Sequence, residues 1–334
     1  MRILVTGGAG YIGSHTAKAL ARAGHVPVAI DDLSTGNEWA VRWGPLVRGS
    51  IGDRALLSRV FSEEKIDAVL HFAASAYVGE SMAEPQKYFQ NNVVNSLSLL
   101  DAMRAAGIMR IVFSSSCATY GDPVRLPIDE THAQKPVNPY GEAKLFIEKA
   151  LGWYGRAYGL EWIALRYFNA AGADPDGEIG EAHDPEPHLI PLVIQAARGE
   201  RGALSILGTD YGTPDGTAIR DYIHVADLAQ AHLLAVEHLA RGGEGGAFNL
   251  GTGIGYSVRE IVAAVERHSG GKVPIEAQAR RAGDPERLVA SADRAGRVLD
   301  WKPTHDLDSI VATAWAWEER KAEIVVQAAR AREG

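Results

Sequence analysis

Three glycines spaced by three, Gly7, Gly10 and Gly13, stand between a short apolar run and an amphipathic stretch, and this context narrows the possible folds most sharply. The run Ile3-Leu4-Val5 reads as a buried parallel strand. Ile12, Thr16, Ala19, Leu20 and Ala23 fall on one face of a helix. Strand, glycine turn and helix make up the setting of a dinucleotide-binding fingerprint. Gly7 can turn tightly, Gly10 lets the backbone approach a pyrophosphate, and Gly13 lets helix and strand pack closely. The helix N-terminus, at Tyr11 and Ile12, offers free N–H groups and a positive dipole end to phosphates. The spacing is G-x-x-G-x-x-G rather than G-x-G-x-x-G, so a plain tight turn before a helix is the competing reading. Asp31 favours the nucleotide. It ends the second apolar run, Val26 to Ile30, 18 residues beyond Gly13, where a carboxylate can accept from both hydroxyls of an adenosine ribose. A carboxylate there repels a 2′-phosphate, and no Arg stands between Asp32 and Trp39 to attract one. NAD is expected rather than NADP.

Composition removes several function classes. The chain has 334 residues, enough for one large or two modest cores. A net charge of −8 argues against nucleic acid as a partner. No apolar run approaches membrane-spanning length. Met1-Arg2-Ile3 enters a strand directly, so no signal peptide is expected. The single cysteine, Cys117, precludes an internal disulfide and fits a reducing, cytoplasmic compartment. None of the 11 histidines forms an H-x-x-x-H pair with a third ligand nearby, so no metal is expected.

The first half alternates strand and helix patterns, the signature of an α/β doubly wound parallel sheet. Further strands are read at 46–48, 68–72, 111–114 and 162–166, with helices at about 53–62, from Pro85 to about Ala106, and from Pro139 onward. The small pair Ala73-Ala74 at a strand end leaves room for a ligand, or merely packs closely. Past Asn169 the texture turns to loop, and the alternation lapses. The chain is expected to rejoin the sheet near Asp221, with a helix around 225–239 and a strand at 247–250. Residues 1–168 plus about 220–251 are therefore assigned to a nucleotide-binding domain, and about 169–219 plus 252–334 to a smaller mixed α/β substrate lobe. A last helix carries Leu307, Ile310, Val311, Ala314 and Trp317 on one face, and the polar tail 328–334 is expected to fray.

Tyr140 and Lys144 stand four apart near a helix start and so project from one face. A phenol with a pKa near ~10 is a poor base at neutral pH. A nearby ammonium and a positive nicotinamide ring favour the phenolate, which can then shuttle the proton of a hydroxyl being oxidised. Ser116, just past a strand end, supplies a hydroxyl for the same substrate oxygen. Cys117 beside it has no matched histidine base and is read as structural.

The stretch Thr6 to Gly13, Ser114-Ser115-Ser116, Tyr140-x-x-x-Lys144 and Arg166-Tyr167-Phe168-Asn169 together resemble the extended short-chain dehydrogenase/reductase family. Gly208-Thr209-Asp210-Tyr211, Asp215-Gly216-Thr217, Arg220 to Val225, Asn249 to Gly253 and Arg281-Ala282-Gly283-Asp284 are similar to its UDP-glucose 4-epimerases. The resemblance runs from Met1 to about Trp317. It implies a Rossmann fold and NAD that stays bound. It also implies hydride removal and return at sugar C4 through a 4-keto intermediate, interconverting UDP-galactose and UDP-glucose. By match, Tyr140 is the acid/base, Lys144 its electrostatic helper and Ser116 its hydroxyl partner. NAD contacts are implied for Gly7, Gly10, Tyr11, Ile12, Gly13, Asp31, Asp32, Ser34, Ser50, Ile51, Phe72, Ala73, Ala74, Asn91, Ser114, Tyr140, Lys144 and Phe168. Substrate contacts are implied for Ser116, Tyr140, Asn169, His188, Leu189, Leu207, Arg220, Tyr222, Arg281 and Asp284. The two arginines would clamp the diphosphate, and Asp284 would hold the uridine ribose. A homodimer is implied through the helices at about 85–106 and 138–158.

Three positions depart from the family pattern. Ala76 replaces a lysine near the NAD diphosphate, Ser50 an Asp near the adenine, and His188 an Asn. The stretch Ala73 to Ser81 is also similar to UDP-xylose/UDP-arabinose 4-epimerases, which keeps a pentose substrate open. Leu288 aligns with a position lining the sugar pocket and leans towards excluding N-acetyl sugars. A 4,6-dehydratase needs an Asp-Glu pair where this chain has Cys117 and Ala118. A NAD-sensing protein without catalysis would need no Tyr, Lys and Ser set.

Overall fold

The structure is a computed structural model that describes residues 1–281 and 284–333, with side chains described as far as Gln327. It opens with β1 (Arg2–Thr6), α1 (Tyr11–Arg22), β2 (Val26–Asp31), β3 (Leu46–Arg48), α2 (Arg54–Glu64) and β4 (Ala68–His71). Two short helices, α3 (Val78–Ala83) and α4 (Pro85–Tyr88), lead through a π-helical stretch, Phe89–Val94, into α5 (Asn95–Ala105). The long helix expected from Pro85 is thus one helical path widened in its middle. Next come β5 (Arg110–Ser116), α6 (Pro139–Tyr158), β6 (Glu161–Tyr167), β7 (Asn169–Ala171), α7 (Leu189–Ala197), β8 (Leu204–Leu207), β9 (Ile219–His224), α8 (Val225–Ala240) and β10 (Gly246–Leu250). The chain ends with β11 (Gly255–Ser257), α9 (Val258–Ser269), β12 (Ile275–Gln278), β13 (Arg287–Leu288), α10 (Asp293–Leu299) and α11 (Leu307–Glu333). The helical backbone of α11 thus enters the tail that was expected to fray.

Seven strands form one parallel sheet in the order β10-β6-β5-β4-β1-β2-β3. Its strands are apolar because both faces are covered. Ile3, Val5, Leu70 and Ile163 pack under α8, and Leu4, Val69, Ile111 and Ala164 pack under α2, α5 and α6. Register ties β1 to β2 (Val5 opposite Ala29) and to β4 (Val5 opposite Leu70). Strand order reverses between β1 and β4, so the loops leaving their carboxyl ends diverge and open a crevice. The glycine turn and Ala73-Ala74 stand there, joined by the Ala73 N–H donating to the Thr6 carbonyl at 3.1 Å.

The second lobe holds a sheet of β7, β9, β11 and β13, the pair β8 and β12, and a core between α7, α9 and α11. Asp221 lies on β9, which pairs with β7 and β11 and not with the large sheet. The return expected near Asp221 is therefore made by α8 and β10 alone. The segment is diverted because it pairs with β7 and β11 in the separate sheet of the second lobe.

Candidate active site

The glycine turn is built for close backbone approach. Gly7 has φ +70°, and a Cβ there would press on the backbone of Phe72 and Ala73. A Cβ on Gly13 would collide with the Gly7 carbonyl, so α1 meets the turn only because residue 13 is glycine. Gly10 caps α1 without a side-chain hydrogen bond. The first N–H groups of the helix are thus left for an anion. Asp31 is buried at the end of β2, accepting from the Ala9 N–H at 3.0 Å and the Leu33 N–H at 2.8 Å. Burial pushes its carboxyl pKa up, while those two N–H groups oppose the shift. A cradle without side chains, a free helix end and a fixed acidic group at the next strand fit a dinucleotide whose adenosine ribose is unphosphorylated.

The other expected cofactor residues follow the carboxyl ends of β2, β3 and β4, with Asn91 in the π-helical stretch. Asp32 is exposed and accepts from the Ser34 N–H at 3.0 Å and hydroxyl at 2.6 Å. Ser50 accepts from the Gly52 N–H, and Ile51 is buried beside it. The Phe72 ring packs 4.6 Å from that of His232. Asn91, in the π-helical stretch, donates to the Ser75 hydroxyl in the loop past Ala74. The Tyr11 hydroxyl donates to the Gly172 carbonyl at 2.5 Å, tying α1 to the second lobe.

The proton-handling residues meet at the carboxyl end of β5. Asn138 caps α6 by accepting from the Gly141 N–H at 2.8 Å, and Pro139 occupies the first turn. This starts the helix where Tyr140 faces Ser116 and Lys144 lies one turn deeper. Lys144 Nζ donates to the Ser114 carbonyl at 2.7 Å and sits 5.7 Å from the centre of the Tyr140 ring. Ser114 bonds through its hydroxyl to Tyr167, next to buried Phe168. Burial pushes the Tyr140 phenol up to about 12, against the pull of a hydrogen bond with Ser116. Burial also brings Lys144 down to about 7, while Glu148 works in the opposite sense. Lys144, expected to lower the tyrosine, thus titrates near neutral pH itself and favours the phenolate while it is protonated. The Cys117 thiol is pushed up to about 12 by burial, which suits a structural residue and not a nucleophile.

Sequence reasoning overlooked a buried network behind these residues. Glu148 accepts from Arg166 Nε at 2.9 Å and Nη2 at 2.5 Å, and from the Ser115 hydroxyl at 2.5 Å. Arg166 also donates to the Tyr120 hydroxyl at 2.9 Å. Its signal was present: an arginine inside an apolar strand requires a buried partner, and Glu148 follows Lys144 by one helical turn.

The expected substrate residues split. Asn169, Leu189, Leu207 and Tyr222 belong to β7, α7, β8 and β9 of the second lobe, and Tyr222 is buried. Arg220 donates to Asp284 at 2.5 Å, so the expected phosphate clamp and ribose ligand are joined as an ion pair. Arg281 is exposed, and its neighbours Ala282 and Gly283 lie outside the described residues. Asp221 and His224, in the same motif, are structural. Asp221 accepts from the Thr252, Gly253 and Ala290 N–H groups, and His224 caps α8. Leu288 stands beside Arg220 in the β13–β9 pairing.

His188 stands at the N-cap position of α7 without a side-chain capping bond, and it sits with Glu181, His183 and Glu186 in a group whose ligand-type atoms lie within 4.8 Å of one another. The expectation of no metal rested on helical histidine spacing. A loop that folds back brings together histidines five residues apart, which that spacing does not detect.

Residues 3–251 match the family model described as the NAD dependent epimerase/dehydratase family. The chain is 52% identical over 318 residues to a UDP-glucose 4-epimerase of Rhizobium leguminosarum bv. trifolii, covering 95% of this chain and 97% of that one. The structure of a UDP-glucose 4-epimerase from Brucella ovis in complex with NAD is 56% identical, with a TM-score of 0.92 over 94% of this chain and 97% of that one. A UDP-glucose 4-epimerase from Stenotrophomonas maltophila, with bound NAD and formylated UDP-arabinopyranose, is 40% identical, with a TM-score of 0.94 over 97% of this chain and 99% of that one. The glycine cradle, the strand order and these likenesses agree: the chain belongs to the NAD dependent epimerase/dehydratase family.

Proposed function

We propose that this protein interconverts UDP-galactose and UDP-glucose by inverting C4 of the sugar with bound NAD. The observation that carries the reading is the meeting of Tyr140, Ser116 and Lys144 at the carboxyl end of β5, in the sheet whose β1 leads into the glycine cradle. NAD held by that cradle and by Asp31 supplies a reversible hydride acceptor. The chain's own groups manage the proton. The Tyr140 oxygen takes it from the C4 hydroxyl, with Ser116 holding the same substrate oxygen, and returns it once the 4-keto sugar presents its other face. Lys144 and the cofactor's positive ring together supply the charge that brings a phenol near 12 into range. Arg220 exchanges its Asp284 partner for the diphosphate, leaving Asp284 to the ribose hydroxyls, and Arg281 closes the clamp from the exposed side.

The same chemistry applies to a pentose. The Stenotrophomonas structure, solved with a UDP-arabinopyranose derivative, supports UDP-arabinopyranose as the second substrate to test. A coupled product assay on purified protein without added NAD, offering UDP-galactose and UDP-arabinopyranose separately, decides. Conversion of UDP-galactose is expected. Conversion of the pentose alone moves the substrate, and conversion of neither with NAD supplied refutes the reading.

A cytoplasmic homodimer completes the proposal. No helix among the described residues is long and apolar enough to cross a membrane. Phe89, Val94, Phe146 and Trp153 are large apolar side chains left exposed on neighbouring helical segments, which supports association through the π-helical stretch and α6. A solution mass of one chain would refute the dimer.

A further inference from the structure

The loop between β7 and α7 carries Glu181, His183, Glu186 and His188 within eight residues and folds them onto one point. Both glutamate side chains are only 5% exposed. His188 Nδ1 lies 2.7 Å from Glu181 Oε1 and 2.9 Å from Glu186 Oε1. His183 Nδ1 lies 3.2 Å from Glu181 Oε1 and 3.6 Å from Glu186 Oε2. Of these contacts the one between His188 Nδ1 and Glu186 Oε1 is a hydrogen bond, and the His188 N–H donates to the same oxygen at 3.0 Å. Glu181 Oε1, His183 Nδ1 and Glu186 Oε2 are buried without a hydrogen-bond partner, although each has an opposite atom close by. Leaving such a group unsatisfied costs about 1–3 kcal/mol, and three occur at one spot.

A cation at the common centre satisfies all of them together. We propose that this loop binds one divalent transition-metal ion of the zinc class through His183 Nδ1, His188 Nδ1 and one carboxylate oxygen each from Glu181 and Glu186. Tetrahedral bonds of about 2.0–2.1 Å set neighbouring ligand atoms about 3.3–3.4 Å apart. The histidine–carboxylate distances here, 2.7 to 3.6 Å, bracket that value. Two imidazoles with two carboxylates suit a borderline-soft cation, whereas magnesium and calcium take oxygen ligands throughout. The neighbouring acidic group, Asp174, Asp176 and Glu178, is a different case. Lys18 Nζ already fills it, at 2.6, 2.7 and 2.6 Å. The loop also borders the cofactor crevice, where His183 and Ala182 line a small cavity with Gly10 and Tyr11. Metal at this position pins the loop against α1.

The rival is a metal-free pair of protonated histidines facing two carboxylates. Titration of chelator-stripped, full-length protein with Co²⁺, followed by visible absorption and calorimetry, separates the two. One equivalent per chain is expected, with the intense absorption of a tetrahedral site, displaced by Zn²⁺. Glu181→Gln and His183→Ala, each checked for fold by circular dichroism, should weaken binding at least ~10-fold. Asp176→Asn should leave it unchanged. Absence of stoichiometric binding to folded wild-type protein overturns the site, as does binding that survives Glu181→Gln and His183→Ala. The readout is independent of epimerisation, so it stands whether or not the proposed reaction does.

Discussion

Lys144 Nζ donates to the Ser114 carbonyl at 2.7 Å, so the lysine of α6 is anchored to the backbone of β5 rather than reaching freely into the crevice. The bond fixes the charge one helical turn below Tyr140. Lys144→Met removes that charge while keeping much of the volume. Activity should fall about 10²–10⁴-fold, the usual span for assisted proton transfer. Without the cation the Tyr140 phenol is harder to ionise, so the remaining activity should peak at higher pH. A pH–rate profile of the variant against wild type measures both effects.

The buried ion pair behind the site is expected to be structural. Glu148 and Arg166 side chains are 5% and 6% exposed and joined by two hydrogen bonds. Glu148→Gln leaves the guanidinium uncompensated and should cost about 3–5 kcal/mol in urea unfolding. The paired change Glu148→Leu with Arg166→Met should recover most of that loss, because no buried charge remains. An unchanged midpoint for Glu148→Gln would contradict this role.

Much of the large sheet was legible in the chain because two periodicities and one steric rule coincide there. Ile3 to Val5 and Val28 to Ile30 are apolar throughout because helices cover both faces, and only glycine fits at 13. The second lobe was not legible for the opposite reason. β12 is exposed along its whole length and β13 has two residues, so neither carries a burial pattern. Tyr140, Lys144 and Ser116 could be found because helical and strand-end spacing announces them. The group from Glu181 to His188 could not, since its convergence depends on how a loop folds back. Arg220 was legible as a basic residue of the clamp, but its pairing with Asp284, 64 residues away, is a product of the fold.

Buried neutral histidines set the acid limit of stability. His71 lies between the Thr6 and Ser96 hydroxyls, and burial brings its pKa down to about 3; His15 and His232 are brought down to about 4 in the same way. Below pH ~6.5 the unfolded chain takes up protons that the folded chain refuses, so stability declines as pH falls from there towards the folded values. Each group contributes up to ~1.4 kcal/mol per pH unit in that window. Urea midpoints should already drop between pH 6.5 and 5, before most carboxylates titrate. His71→Asn should flatten the slope.

Gly13→Ala tests the cradle. The added methyl meets the Gly7 carbonyl, so α1 must move away from the turn. The variant should fold less stably and purify with less bound NAD, measured by absorbance after denaturation. Asp31→Ala should lose NAD with a smaller loss of stability, since its partners are the Ala9 and Leu33 N–H groups at the binding surface.

The central claim is that hydride leaves C4 and returns to the same carbon while Tyr140 handles only the proton. The most direct test follows UDP-galactose carrying deuterium at C4 through turnover in ordinary water. UDP-glucose should keep its deuterium at C4, and a Tyr140→Phe variant should form product at least ~10²-fold more slowly. Deuterium lost to solvent, or a Tyr140→Phe variant as fast as wild type, would contradict that claim.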